Sequence, residues 1–234
     1  MPDITKTEYG TPLLDFVFRR AQDLARNDTM CYVNSDIILM NDLSTSLQEI
    51  KFDKFLVAGQ RWDLDIKKPL DFGMTDWENR LRRIVTQYGS LHPPAGIDYF
   101  VFTRDCLGPL PPFAVGRVGW DNWFIYNSRA RGVPVIDVTQ RAMAVHQNHN
   151  YNHIPKRTGD RWEGPESIRN LELMGRKIYE WSLEDADWFL SGNGLLKKPL
   201  TSREICRKLT LATPADLHPI LEALFRFQRR VRQT

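Results

Sequence analysis

Cysteine is scarce in this chain. There are three in 234 residues, Cys31, Cys106 and Cys206, with no CxxC spacing among them. An odd, sparse set of this kind excludes a disulfide framework and a zinc knuckle. It predicts reduced thiols in a cytoplasmic protein, with Cys31, set in an apolar run, part of the core. No apolar stretch approaches the roughly 20 residues that span a bilayer. Residues Met1 to Lys6 lack the hydrophobic centre of a signal peptide. A membrane-borne substrate would therefore be met from the cytosolic side. Neither sign of charge dominates: 32 Lys and Arg stand against 29 Asp and Glu, a net +3, too little to predict nucleic-acid binding. The one basic cluster, Arg226, Arg229, Arg230 and Arg232, reads as the solvated face of a last helix. P-loop, GxGxxG and GxSxG motifs are absent, and so are internal repeats and low-complexity tracts.

What is present is the composition of a soluble globular protein, 42% hydrophobic and 26% charged, long enough for one sizeable domain with a small appendage. The pattern predicts a helix from Pro12 to Arg26 with Thr11 as N-cap. It then predicts a strand at Met30–Val33, interrupted at Asn34-Ser35-Asp36 and resumed at Ile37–Met40, and a short helix from Leu43 to Ile50. Buried strands follow at Lys54–Gly59 and Ile97–Phe102. Between them Thr75-Asp76-Trp77-Glu78 fits a capping box that opens a helix ending near Gly89. After a Pro-rich loop at 108–112 comes a helix from Trp120 to Arg131, then short strands at Val133–Asp137 and Ala142–His146. Strands alternating with helices predict an α/β fold with a mostly parallel mixed sheet covered on both faces. Beyond about residue 155 the texture turns helical, with Pro165–Trp181, Ser202–Leu209 and Pro214–Val231 as the segments. This divides the chain into an α/β domain over 1–155 and a helical extension over 156–234, the latter packing on the domain or on a dimer partner.

Several polar groups lie where chemistry is done in such folds. Asn34-Ser35-Asp36 breaks a strand at the position where α/β sheets bind ligands. It is either an Asx-capped turn or a carboxylate holding a hard divalent cation against a diphosphate. Asp121 opens a helix after Gly116-Arg117-Val118-Gly119. It either complements the helix dipole or acts as a general base in a pocket walled by Trp120 and Trp123, whose faces suit sugar rings. His146 ends a strand and reads as one ligand of a shared metal, whereas His149 and His153 read as surface or hydrogen-bonding residues. Asp98 is a lone charge in an apolar strand, costly to bury unless paired or ligating. Asp63-Leu64-Asp65 is a literal DxD, but its alternation with Trp62, Leu64 and Ile66 reads as the solvated face of a strand.

Asn34-Ser35-Asp36-Ile37-Ile38-Leu39, Gly59-Gln60-Arg61-Trp62-Asp63, Gly96-Ile97-Asp98-Tyr99-Phe100, Gly116-Arg117 with Gly119-Trp120-Asp121-Asn122-Trp123, and His146-Gln147-Asn148-His149 occur in this order. As an ordered set they resemble a bacterial and plant group of nucleotide-diphospho-sugar transferases of the GT-A type, over about residues 9–195. The resemblance implies a Rossmann-like glycosyltransferase of polysaccharide biosynthesis, moving a sugar from a nucleotide-diphosphate donor to a hydroxyl acceptor with Mn²⁺ or Mg²⁺. Asp36 matches the metal-binding acid, Asn34 stands where the first acid of the motif is usual, and Ser35 lies between them at the donor. Asp121 matches the acceptor-side base of inverting members, and His146 the late histidine that completes the metal site. Arg61 and Asp98 line the donor or acceptor cleft. Besides Asn34, the chain departs from the family in a larger respect: a single helix precedes the metal-motif strand, so the strand–helix–strand unit that holds the nucleotide base is not seen ahead of it. Two rival functions use the same residues. One is a metal-dependent phosphoester or sugar-phosphate hydrolase, which needs two metals about 4 Å apart. The other is a non-catalytic sugar-binding or assembly module.

Overall fold

Regular structure begins two residues later than Thr11 and Pro12 suggest, and the reason is a competing partner. In the computed structural model, which describes residues 4–149 and 164–231 and all of their side chains except those of 177 and 226–231, the Thr11 hydroxyl donates to Glu166 Oε2 at 2.9 Å instead of capping. Helix α1 then runs Leu14–Leu24. Strands β1 (Thr29–Val33) and β2 (Ile37–Leu39) flank the Asn34-Ser35-Asp36 break, and α2 spans Asn41–Gln48. Next come β3 (Leu56–Ala58), β4 (Arg61–Leu64), α3 (Trp77–Tyr88), β5 (Ser90–Leu91), β6 (Tyr99–Thr103) and α4 (Trp120–Ala130). The capping box expected before α3 is not made, because Glu78 Oε1 accepts the backbone N–H of Asn41 at 3.0 Å and so serves the start of α2. The remaining elements are β7 (Val135–Asp137), β8 (Ala144–Gln147), α5 (Pro165–Met174), β9 (Trp188–Ser191), β10 (Gly194–Lys197), α6 (Ser202–Ala212) and α7 (His218–Val231). Helix α5 stops at Met174, short of the expected Trp181, where Gly175 takes φ +90° and turns the chain so that Trp181 is buried in the core.

The strands form two sheets, a six-stranded one ordered β1-β6-β3-β7-β9-β10 and a four-stranded one ordered β2-β8-β4-β5. The expected parallel majority is not found. Among the described residues, β3–β7, β7–β9 and β4–β8 pair in parallel, while β1–β6, β9–β10, β2–β8, β3–β6 and β4–β5 are antiparallel. The fold is α/β with mixed sheets. Strands β9 and β10, a hairpin turning at Gly192-Asn193, were not expected at all. Because β9 pairs with β7, the boundary placed near 155 does not separate a helical unit from the sheet.

Three apolar layers hold the sheets and helices together. Leu56, Ala58, Phe100, Phe102 and Val135 face Phe18, Phe124 and Trp181. The alternate residues Val57, Tyr99, Val101 and Ile136 face Leu43, Ala144, Ile37 and Leu39, joining the two sheets. Leu64, Val145, Ile38 and Trp62 face Leu81 and Val85 of α3. The period-2 alternation of strand side chains thus assigns each strand residue to one layer. Cys31 falls on the outer side of the edge strand β1 and is exposed, contrary to its reading as core.

Among the described residues, six of the nine steps from one strand to the next change sheet. The chain passes from one sheet to the other at 34–36, 59–60, 92–98 and 138–143, in each case between a strand of the six-stranded sheet and one of the four-stranded sheet. Gly59 lies at one crossing, where an added Cβ would collide with the hydroxyl of the buried Tyr99. The seam made by these crossings carries most of the polar residues singled out above.

Candidate functional site

Strand register brings the first members together. In the four-stranded sheet His146 of β8 pairs with Ile37 of β2 on one side and with Asp63 of β4 on the other. Asp36, directly before β2, accepts the backbone N–H of Gln147 at 3.1 Å through its main-chain oxygen. Three side chains follow from this. His149 Nε2 lies 2.8 Å from Asp36 Oδ2, His146 Nε2 lies 3.4 Å from the same oxygen, and His146 Nδ1 lies 3.2 Å from Asp63 Oδ1. The last is a close approach rather than an aligned hydrogen bond, and His146 Nδ1 makes none among the described residues.

The cluster continues across the seam. Asp63 Oδ1 accepts from Arg61 Nε at 2.9 Å, and Asp63 Oδ2 sits 2.7 Å from His92 Nδ1. The Arg61 guanidinium also grips Asp98 Oδ2, whose other oxygen accepts from Asn34 Nδ2 at 2.7 Å. Tyr32 in turn donates to Asn34 Oδ1 at 3.1 Å. Arg61 and Asp98 are buried, and an Arg bracketed by two carboxylates leaves neither buried charge unpaired. The imidazoles of His149 and His146 hold Asp36 below the ordinary carboxylate range although burial works the other way, and His92 and Arg61 do the same for Asp63.

Asp36, His146 and His149 each offer a ligand atom within 4.8 Å of the others. One oxygen of Asp36, Oδ1, is buried without a hydrogen-bond partner among the described residues, which fits a carboxylate prepared for a ligand outside the chain. Two imidazoles and one carboxylate are a donor set for a first-row transition ion. The hard-ion alternative, Mg²⁺, prefers oxygen donors throughout.

Asp121 reaches the seam from the other side. Gly119, at φ +94°, lets the chain turn into α4, and Asn122 Nδ2 ties the helix start to Ala95 O at 3.2 Å and Trp181 O at 2.6 Å. The Arg117 guanidinium pins the preceding loop to buried Glu166 at 2.6 Å. Burial pushes the Asp121 carboxyl up to about 6, with the Asp98 charge adding to the rise, while backbone N–H groups of Asn122 and Ile97 oppose it. Asp36, Asp98 and Asp121 all act on the Tyr32 hydroxyl, which is raised by burial first and by these charges second.

The structure therefore joins Asn34, Asp36, Arg61, Asp98 and His146 in one network, with Asp121 beside Asp98, and leaves Ser35 exposed at the bend. Trp120 does not wall a pocket. It is 4% exposed, packed edge-on against Tyr32 and Phe124 in the core. Trp123 is half-buried against Phe113 and Phe124. Two participants have no place at the site in the sequence pattern: Asp63, whose strand face reads as solvated, and His92. His149, expected at the surface or in a hydrogen bond, does contact Asp36 and adds a third donor to the metal-capable group. The alternation in β4 did separate Arg61 and Asp63 from Trp62 and Leu64, and the free face belongs to the seam rather than to bulk water. His153 lies outside the described residues. No family model matches the chain, and neither a curated protein nor a solved structure matches it. Among the described residues no helix is long and apolar enough to cross a membrane.

Proposed function

We propose that the chain is a divalent-metal-dependent glycosyltransferase acting on a nucleotide-diphosphate sugar. The observation that carries this reading is the Asp36–His146–His149 group with its Asp36 Oδ1 unpartnered among the described residues, accompanied near Asp98 by a carboxyl, Asp121, whose affinity for protons is raised to about 6. The three side chains would hold the ion, and the ion supplies Lewis-acid neutralisation of a departing diphosphate. Asp121 takes the proton from an acceptor hydroxyl, and a base titrating near 6 is ionised at neutral pH yet still basic enough for the task. The imidazole donors favour Mn²⁺ over Mg²⁺.

A hydrolase with two metals would draw on Asp98 as a bridging ligand. Both Asp98 oxygens are already engaged, one by Asn34 and one by Arg61, which argues for the single-metal reading. The test is calorimetric titration with several nucleotide sugars, with and without Mn²⁺, alongside product analysis. Metal-dependent binding followed by acceptor-dependent release of nucleotide is expected, with Asp36→Ala losing the metal dependence. Undiminished metal-assisted binding in Asp36→Ala would refute the metal role. Binding without any turnover would instead favour a non-catalytic sugar-binding module.

A further inference from the structure

His146 is 5% exposed and is approached by a carboxylate at each ring nitrogen, Asp36 Oδ2 at 3.4 Å from Nε2 and Asp63 Oδ1 at 3.2 Å from Nδ1, a close approach that a small ring rotation would turn into an aligned hydrogen bond. Only one of these acids belongs to the metal group. The other is itself fixed from two directions, by Arg61 Nε at 2.9 Å and His92 Nδ1 at 2.7 Å. An imidazole can ligate through one nitrogen only when that nitrogen carries a lone pair, and a carboxylate at the far nitrogen selects that tautomer and raises the basicity of the ligating one. Asp63 pairs directly with His146 across the parallel β4–β8 ladder, so its position is set by the sheet and not by a loop.

We propose that Asp63 is a positioning residue for the metal, holding the proton of His146 on Nδ1 so that Nε2 faces the ion, and that Arg61 and His92 hold Asp63 in place for this task. The proposal rests on the reading of Asp36, His146 and His149 as metal ligands. It makes Arg61 part of the support beneath the metal, in addition to its grip on Asp98 across the seam.

The test titrates Zn²⁺ and Mn²⁺ into the full chain and its Asp36→Ala and Asp63→Asn variants, followed by calorimetry in the absence of any nucleotide. Asp63→Asn is expected to weaken binding roughly 10–100-fold, and Asp36→Ala to weaken it further. Affinity within twofold of the parent in Asp63→Asn, together with loss in Asp36→Ala, would overturn the role of Asp63 and leave the metal site standing. Unchanged affinity in both would overturn the metal site itself. A measurement on the parent chain guards against a variant that does not fold: ¹⁵N spectra of the Zn²⁺-loaded protein should show His146 protonated at Nδ1 and metal-bound at Nε2. A proton on Nε2 in that spectrum would refute the proposal regardless of the variants.

Discussion

Around Asp185 buried charge is met by guanidinium groups alone, whereas Asp36 meets two imidazoles and Asp63 is shared between imidazoles and one guanidinium. Asp185 is fully buried. It accepts from Arg203 at 2.6 and 2.7 Å, from Arg207 at 2.9 and 3.0 Å, and from the backbone N–H of Ser182 at 2.9 Å. Arg207 also stacks over Trp181 at 4.8 Å, and Arg129 nearby takes Glu204 through two bonds. Forked Arg–carboxylate pairs of this kind fix geometry, and they join α6 to the core with both oxygens of Asp185 occupied. Among the described residues the seam leaves Asp36 Oδ1 without a hydrogen bond. The first network clamps elements together; the second is the one that the proposed function gives a ligand from outside the chain.

The comparison is broken most directly by removing one acid from each network. Asp121→Asn should lower transfer by roughly 10²–10⁴-fold, about 3–5.5 kcal/mol of barrier, with the fold retained by circular dichroism. Full activity in that variant would remove Asp121 as the base. Asp185→Ala should do the opposite. Two guanidinium groups lose their shared buried partner, and breaking such a pair costs about 3–5 kcal/mol, toward the lower end here because Arg203 is partly exposed. Urea unfolding measures that loss, and calorimetry should find metal affinity unchanged in the variant. A clear fall in metal affinity, with stability intact, would show that the two networks are not separate in role.

How much of this was visible beforehand follows the same division between local and tertiary information. Asp36, Asp98, Asp121 and His146 stood at strand ends or helix starts, positions that local pattern marks. Most of the strands and helices were read within a few residues for the same reason. Pairing direction is not legible, because the order strand–helix–strand does not say which successive strands enter different sheets. Asp63 shows how a correct local reading misleads. Its alternation with Trp62 and Leu64 was right, but which side of a strand meets water depends on a second sheet brought alongside by Gly59 and Tyr99. His92, between Leu91 and Pro93, carries no local signal at all, and only the tertiary approach of Asp63 at 2.7 Å gives it a place. The β9–β10 hairpin was overlooked because its four-residue strands lie in a stretch whose neighbours are helical.

Asp121 and Asp185 should also respond to pH with opposite slopes, which gives the finest test of the comparison. For Asp121 the ordinary value is 3.8 and the folded value about 6, raised chiefly by burial. Below pH 4 the group is protonated both folded and unfolded, and it affects stability little. As pH rises from 4 to 6 the unfolded chain ionises first, and above 6 the folded protein carries the whole cost of a buried carboxylate. Asp121→Asn should therefore gain stability at pH 7.5, on the order of 1–3 kcal/mol, and the gain should vanish near pH 4. Asp185 is depressed: burial works to raise it, and Arg203 and Arg207 outweigh that. Its contribution is present above the ordinary carboxylate range and is lost as pH falls through the folded value, so Asp185→Ala should cost most at pH 7.5 and progressively less in acid. Urea unfolding of both variants and the parent at pH 4, 5, 6 and 7.5 measures the two slopes. A gain in Asp121→Asn that does not change with pH would mean that the substitution improves packing, and that the carboxyl is not held in its protonated form by its surroundings.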